Sequence, residues 1–187
     1  MIVGPYPVTT VFREFGVHSF VLTAPRQGEG DGALQLEPNA NATSAYVPIA
    51  NDNSGLNVPS GSARGCLRNT RNGASFCGAV LLDSGRTGVE VFPASGNVQS
   101  TSWYTGDAAQ LEFTSTAGAE LAGVDFKVNV DAATRVIFAP PGQYAEPVIY
   151  VGQLPYIGLS ILTNFDSSTY AVAPRSQARD GVFGHVP

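Results

Sequence analysis

The run Ala79-Val80-Leu81-Leu82-Asp83-Ser84-Gly85-Arg86-Thr87-Gly88-Val89-Glu90-Val91-Phe92-Pro93 reads as a strand, a tight turn and a second strand. Four consecutive apolar residues suit a strand covered on both faces. The aspartate that follows directly is therefore set at the end of a buried element rather than scattered on a surface. Ser84 offers a short hydroxyl, and Gly85 permits the reversal that turns neighbouring N–H groups toward the carboxylate.

The rest of the chain agrees with a β-rich fold. Its 187 residues are 43% apolar and only 13% charged, about half the usual charged share and far from a disordered composition. Polar character comes instead from Ser, Thr and Asn, with 21 Gly and 13 Pro to supply turns. One domain accommodates this length. A net charge of −5, with Lys127 the only lysine, argues against nucleic acid or an anionic membrane surface as a partner. No apolar run reaches the length of a membrane-spanning helix.

Strands are expected at Ser19–Thr23, Ala33–Leu36, Ala45–Ile49, Ala109–Phe113, Gly123–Val130, Arg135–Ala139, Pro147–Val151 and Tyr170–Pro174, joined by polar turns at the spacing of an all-β fold. A short helix is expected near Val8–Phe15, and another turn or two of helix over Leu159–Phe165. Arg175–Pro187 reads as a polar tail following a single unit over residues 1–174. Gln27–Gly32 lacks the lysine and helix of a phosphate cradle and reads as a turn. Asn41-Ala42-Thr43 has the form of a glycosylation sequon, and a plain turn is the simpler reading.

Cys66 and Cys77 bracket Thr70-Arg71-Asn72-Gly73. With those four residues as the loop, 69 faces 74 and the count brings 66 opposite 77. A cross-strand disulfide then fits, the alternative being two buried thiols. A disulfide implies a secreted or periplasmic location. Met1–Pro5 has neither the charged nor the apolar region of a leader, so export would require one already removed. Two cysteines with His18 and His185 form no zinc pattern. No metal or other cofactor is expected.

The Asp83-Ser84-Gly85 loop resembles the active-site Asp-Ser/Thr-Gly loop of the aspartic peptidases. A second segment, Gly152-Gln153-Leu154-Pro155-Tyr156-Ile157-Gly158-Leu159-Ser160-Ile161-Leu162, is similar to the apolar-apolar-Gly element and following helix of pepsin-like and retroviral peptidases. In that resemblance Tyr156-Ile157-Gly158 is the element beside the catalytic loop, and Ile161-Leu162 is the apolar face of the helix. Gly4–Leu22, Ala33–Leu36, Tyr46–Ile49 and Tyr170–Pro174 resemble successive parts of a pepsin-like C-terminal lobe, nearest in style to bacterial families. The resemblance spans most of residues 4–174.

It implies an all-β aspartic-peptidase lobe hydrolysing extended peptide or protein substrates. Asp83 would be catalytic, with Ser84, Gly85 and Thr87 supporting the loop. Two carboxylates about 3 Å apart share one proton and divide the roles of acid and base, and no second Asp-Ser/Thr-Gly is present. The partner aspartate would come from a second lobe or a homodimer.

Arg86 occupies the place where pepsin-like lobes carry Ser or Thr. Either its guanidinium reaches Asp83 and opposes proton sharing, or it points outward and leaves Thr87 to supply a hydroxyl. The first outcome favours a catalytically inactive module with an extracellular binding or assembly role. Trp103 and Tyr104 suit either a substrate groove or core packing.

Overall fold

A computed structural model describes residues 12, 14–25, 32–49, 62–94, 103–175 and 181–187. The strands in chain order are β1 (Ser19–Thr23), β2 (Ala33–Leu36), β3 (Val47–Ile49), β4 (Ala63–Asn69), β5 (Ser75–Leu82), β6 (Val89–Phe92) and β7 (Ala108–Thr114). They continue with β8 (Glu120–Lys127), β9 (Val136–Phe138), β10 (Val148–Val151), β11 (Leu159–Asn164), β12 (Thr169–Pro174) and β13 (Phe183–His185). Among the described residues two short helices, α1 (Ala40–Thr43) and α2 (Leu154–Gly158), interrupt them. The protein is all-β, as its composition implies. Most of the helix expected near Val8–Phe15 and all of the turn at 27–31 lie outside the described residues.

Two sheets carry the fold. The smaller is antiparallel, in the order β2-β1-β11-β12-β3. The larger runs β13-β8-β7-β4-β5-β10-β6-β9. It is mixed: β10 lies parallel to β5 and antiparallel to β6, and β6 lies parallel to β9. One main core joins them, with Phe76, Val80, Leu82, Leu111 and Phe113 of the larger sheet clustered with Leu159, Ile161 and Val172 of the smaller. Parallel neighbours need a crossover connection, which explains how β5 and β10 lie side by side although 65 residues separate Leu82 from Val148.

The β4–β5 hairpin follows the sequence count. Arg68 faces Ser75 and Cys66 faces Cys77, and the two sulfurs are bonded. Gly73, at φ +75°, takes the left-handed conformation that closes a loop of this length. Its N–H donates to the Asn69 carbonyl, and the Asn69 N–H donates to the Ala74 carbonyl.

Three expectations need correction. Leu159–Phe165 is not helical, because Leu159–Asn164 forms β11 between β1 and β12. Leu159 and Ile161 are buried while Ser160 and Leu162 are only partly covered, the two-residue alternation of a strand. The helix instead precedes it as α2, which has Pro155 in its first turn, a position where the missing N–H costs nothing.

The chain end is not a free polar tail. Val182 is fully buried, and β13 adds to β8 with Phe183 opposite Asp125 and His185 opposite Gly123. The imidazole of His185 lies between Glu120 and Asp125, with Nε2 2.5 Å from Glu120 Oε1 and Nδ1 3.1 Å from Asp125 Oδ2.

Finally, β8 stops at Lys127 rather than Val130. Asn129 is left-handed at φ 55°, and its side-chain oxygen accepts the Val136 N–H. Asn41-Ala42-Thr43 forms most of α1, whose start is capped by Asn39 Oδ1 accepting the Ala42 N–H at 2.8 Å.

Candidate functional site

Asp83 stands where β5 ends, and its position is set by the backbone. The Asp83 N–H donates to the Val151 carbonyl at 2.9 Å, continuing the parallel ladder in which Leu82 faces Val151. Ala79, Val80 and Leu82 are buried beneath it, so the strand cannot slip by one residue without exposing its apolar set.

The chain then turns tightly. The Arg86 N–H donates to the Asp83 carbonyl at 2.9 Å, and the Gly85 N–H donates to Asp83 Oδ1 at 3.1 Å. This is an aspartate capping its own turn, the arrangement expected of Ser84-Gly85.

The apolar-apolar-glycine element that lies on this loop is Tyr150-Val151-Gly152, six residues before the one read from the sequence. Tyr150 and Val151 belong to β10. A Cβ on Gly152 would lie 2.4 Å from the Arg86 carbonyl oxygen and 2.8 Å from that of Gly88, so only glycine fits. The Gly152 N–H donates to the Gly88 carbonyl at 2.9 Å. Tyr156-Ile157-Gly158 is buried in α2, where Tyr156 lines the same cavity as Ser84.

Arg86 turns inward. Its Nε donates to Asp83 Oδ2 at 3.1 Å, and its Nη1 is paired with Glu90. The guanidinium carbon also lies 4.7 Å from the centre of the Tyr150 ring. One guanidinium thus bridges two carboxylates and covers an aromatic face, a use of its planar fork that lysine does not reproduce. The Asp83 side chain is 14% exposed. Both of its oxygens have partners within its own loop, Oδ1 the Gly85 N–H and Oδ2 Arg86. Thr87 is exposed, so Arg86 rather than Thr87 makes the carboxylate contact. Glu90 is the participant that sequence reasoning missed. Its signal was available as a carboxylate four residues after Arg86 on an alternating strand.

Two tyrosines frame the site. Burial, together with the Tyr144 hydroxyl 3.1 Å away, pushes the Tyr150 phenol up to about 12. Tyr156 is 4% exposed, and burial raises its phenol further, with the charges of Tyr170 and Asp83 acting in the same direction. Both remain neutral donors through the physiological range.

Beside the loop lies an apolar cavity of about 270 Å³, lined by Phe20, Leu22, Leu34 and Tyr156 and reached by Ser84 and Gln153. Ser84 therefore belongs both to the turn and to the wall of this cavity.

Trp103 and Tyr104 are not part of this constellation. Trp103 is 8% exposed and packs on Phe76 and Phe138. Phe76 is the second residue of β5 and Asp83 follows its end, a separation of about 20 Å at the usual strand rise. Tyr104 is exposed under the Arg71 guanidinium, by the far hairpin loop. There Asp107 accepts from Arg71, the Tyr104 N–H and Asn69. Among the described residues, no group of His, Cys, Asp and Glu is arranged to hold a metal, and no helix is long and apolar enough to cross a membrane. Comparison with known proteins gives no matching family model and no matching curated relative.

Proposed function

We propose that this chain is a pepsin-like lobe in which the Asp83 loop is a structural and partner-binding element rather than half of a peptidase dyad. The observation that carries the reading is the Arg86 guanidinium on Asp83, 3.1 Å from Nε to Oδ2. An aspartic dyad requires a carboxylate whose inner oxygen is open to a second carboxylate and to water. Here the chain supplies its own cation and its own N–H to the two oxygens. Glu90 shares the same cation, so the loop holds together as a closed ionic unit.

The binding role rests on the cavity beside Ser84, whose apolar walls and few polar groups suit an extended apolar segment of another protein. The lobe assignment is supported by the sequence resemblance and by three structural features. An Asp-Ser-Gly turn ends a buried strand, an apolar-apolar-glycine strand lies parallel beside it, and a short helix leads into the antiparallel sheet. The disulfide is compatible with a secreted or periplasmic location.

A second reading has its own observation. The Gly85 N–H on Asp83 Oδ1 is the support a catalytic carboxylate would need, and a second lobe or subunit could displace Arg86 and bring the missing aspartate. The chain would then be an aspartic endopeptidase half-site. The deciding experiment is hydrolysis of denatured protein between pH 3 and 5 by the chain alone and with its genomic neighbours. The expected result is no cleavage. Cleavage that disappears with Asp83→Asn overturns the proposal in favour of the peptidase.

A further inference from the structure

The disulfide is asymmetric. Cys66 is 6% exposed, whereas Cys77 is exposed. The sheet explains the difference. Cys66 lies on β4 between β5 and β7, with Glu112 of β7 directly opposite. Cys77 lies on β5 upstream of its pairing with β10, which runs only from Ala79 to Leu82.

The two sulfurs also differ electrostatically. Arg68, two residues after Cys66, donates from Nη2 to Cys66 Sγ at 3.6 Å. Its Nε is held by Glu112 Oε1 at 2.6 Å, which orients the guanidinium and leaves Nη2 to the sulfur. The Glu112 carboxylate is itself a negative charge near Cys66, and the same guanidinium neutralises it.

We propose that Cys77 is a thiol-exchange site, attacked by a small-molecule thiol or a dithiol oxidoreductase, with Cys66 leaving as a thiolate paired to Arg68. In the first step the attacking thiolate forms a bond to Cys77 Sγ, the Cys66–Cys77 bond breaks, and its electron pair goes to Cys66 Sγ. The product is a mixed disulfide on Cys77. A second thiol then attacks the mixed disulfide, releasing the Cys77 thiol and an oxidised thiol pair, so the protein disulfide is reduced as two thiols are oxidised. In the reverse direction the Cys66 thiolate attacks the mixed disulfide and restores the bond. A leaving thiolate stabilised by a cation departs faster, and access decides which sulfur is attacked. Exposure and the position of Arg68 select the same direction.

The test uses the folded full chain with reduced glutathione, quenched by alkylation and mapped by mass spectrometry. Trypsin cleaves after Arg68 and Arg71, which places the two cysteines in separate peptides. The expected trapped species carries glutathione on Cys77 and the alkyl group on Cys66. Arg68→Gln slows the first step by about tenfold, Arg68→Lys restores most of the rate, and Arg135→Gln, a matched charge loss at an exposed distant position, leaves it unchanged. Circular dichroism checks that each variant is folded. Glutathione on Cys66, an even distribution over both sulfurs, or an Arg68→Gln rate within twofold of the parent overturns the proposal.

Discussion

Replacing Arg86 by alanine removes the cation on which the Asp83 loop is built, and the structure sets the scale of the loss. The side chains of Asp83, Arg86 and Glu90 are 14%, 41% and 27% exposed. The cluster therefore lies between a surface pair, at about 0–1 kcal/mol, and a buried pair broken on one side, at about 3–5 kcal/mol. Assigning about 1 kcal/mol to the Asp83 contact, about 0.5 to Glu90 and about 0.5 to the Tyr150 ring face gives a loss of about 2 kcal/mol. For a chain of this size that lowers Tm by about 4–8 °C. Arg86→Lys keeps the charge but cannot bridge both carboxylates, and falls between the two.

The assay is urea unfolding at pH 7 of the parent, Arg86→Ala, Asp83→Asn and the double variant. The cycle isolates the Asp83–Arg86 coupling, expected at about 1 kcal/mol. A coupling within about 0.3 kcal/mol of zero would refute the ionic-unit account of the loop, and with it the main argument against catalysis.

Asp107 is held down to about 2, first by the Arg71 hydrogen bond and then by the Tyr104 N–H, with Asn69 adding to them. Its folded value lies below its ordinary one, so its contribution is complete above about pH 4 and disappears as pH falls toward 2. Asp107→Asn should flatten that acid limb in urea titrations from pH 5 to 2; an unchanged limb would remove Asp107 as its source. Gly152→Ala places a Cβ against the Arg86 and Gly88 carbonyls and should cost about 1–3 kcal/mol, read as a drop in Tm; a neutral result would mean the loop yields freely. Deleting residues 182–187 uncovers the β8 edge and removes the buried Val182. Exposed edges invite association, so light scattering should show aggregation on mild heating, and a monodisperse truncated chain would show that β13 is dispensable.

Local patterns carried much of this fold. The Cys66–Cys77 pairing follows from counting outward from a four-residue loop closed by Gly73. The end of β5 at Asp83 follows from an apolar run stopped by turn residues, and these relations hold because neighbours along a strand or across a hairpin are few bonds apart. Other features depended on packing between distant segments. Two apolar-apolar-glycine triplets, at Tyr150–Gly152 and Tyr156–Gly158, look alike in sequence. Only the parallel pairing of β10 with β5 puts the first against Arg86, while Pro155 commits the second to a helix. Leu159–Asn164 became a strand because β1 and β12 flank it, and Val182 was buried because β8 had an open edge. The direction of Arg86 was equally beyond the sequence. A long, freely rotating side chain goes where carboxylates and an aromatic face converge, and Asp83, Glu90 and Tyr150 converge only once β5, β6 and β10 lie side by side.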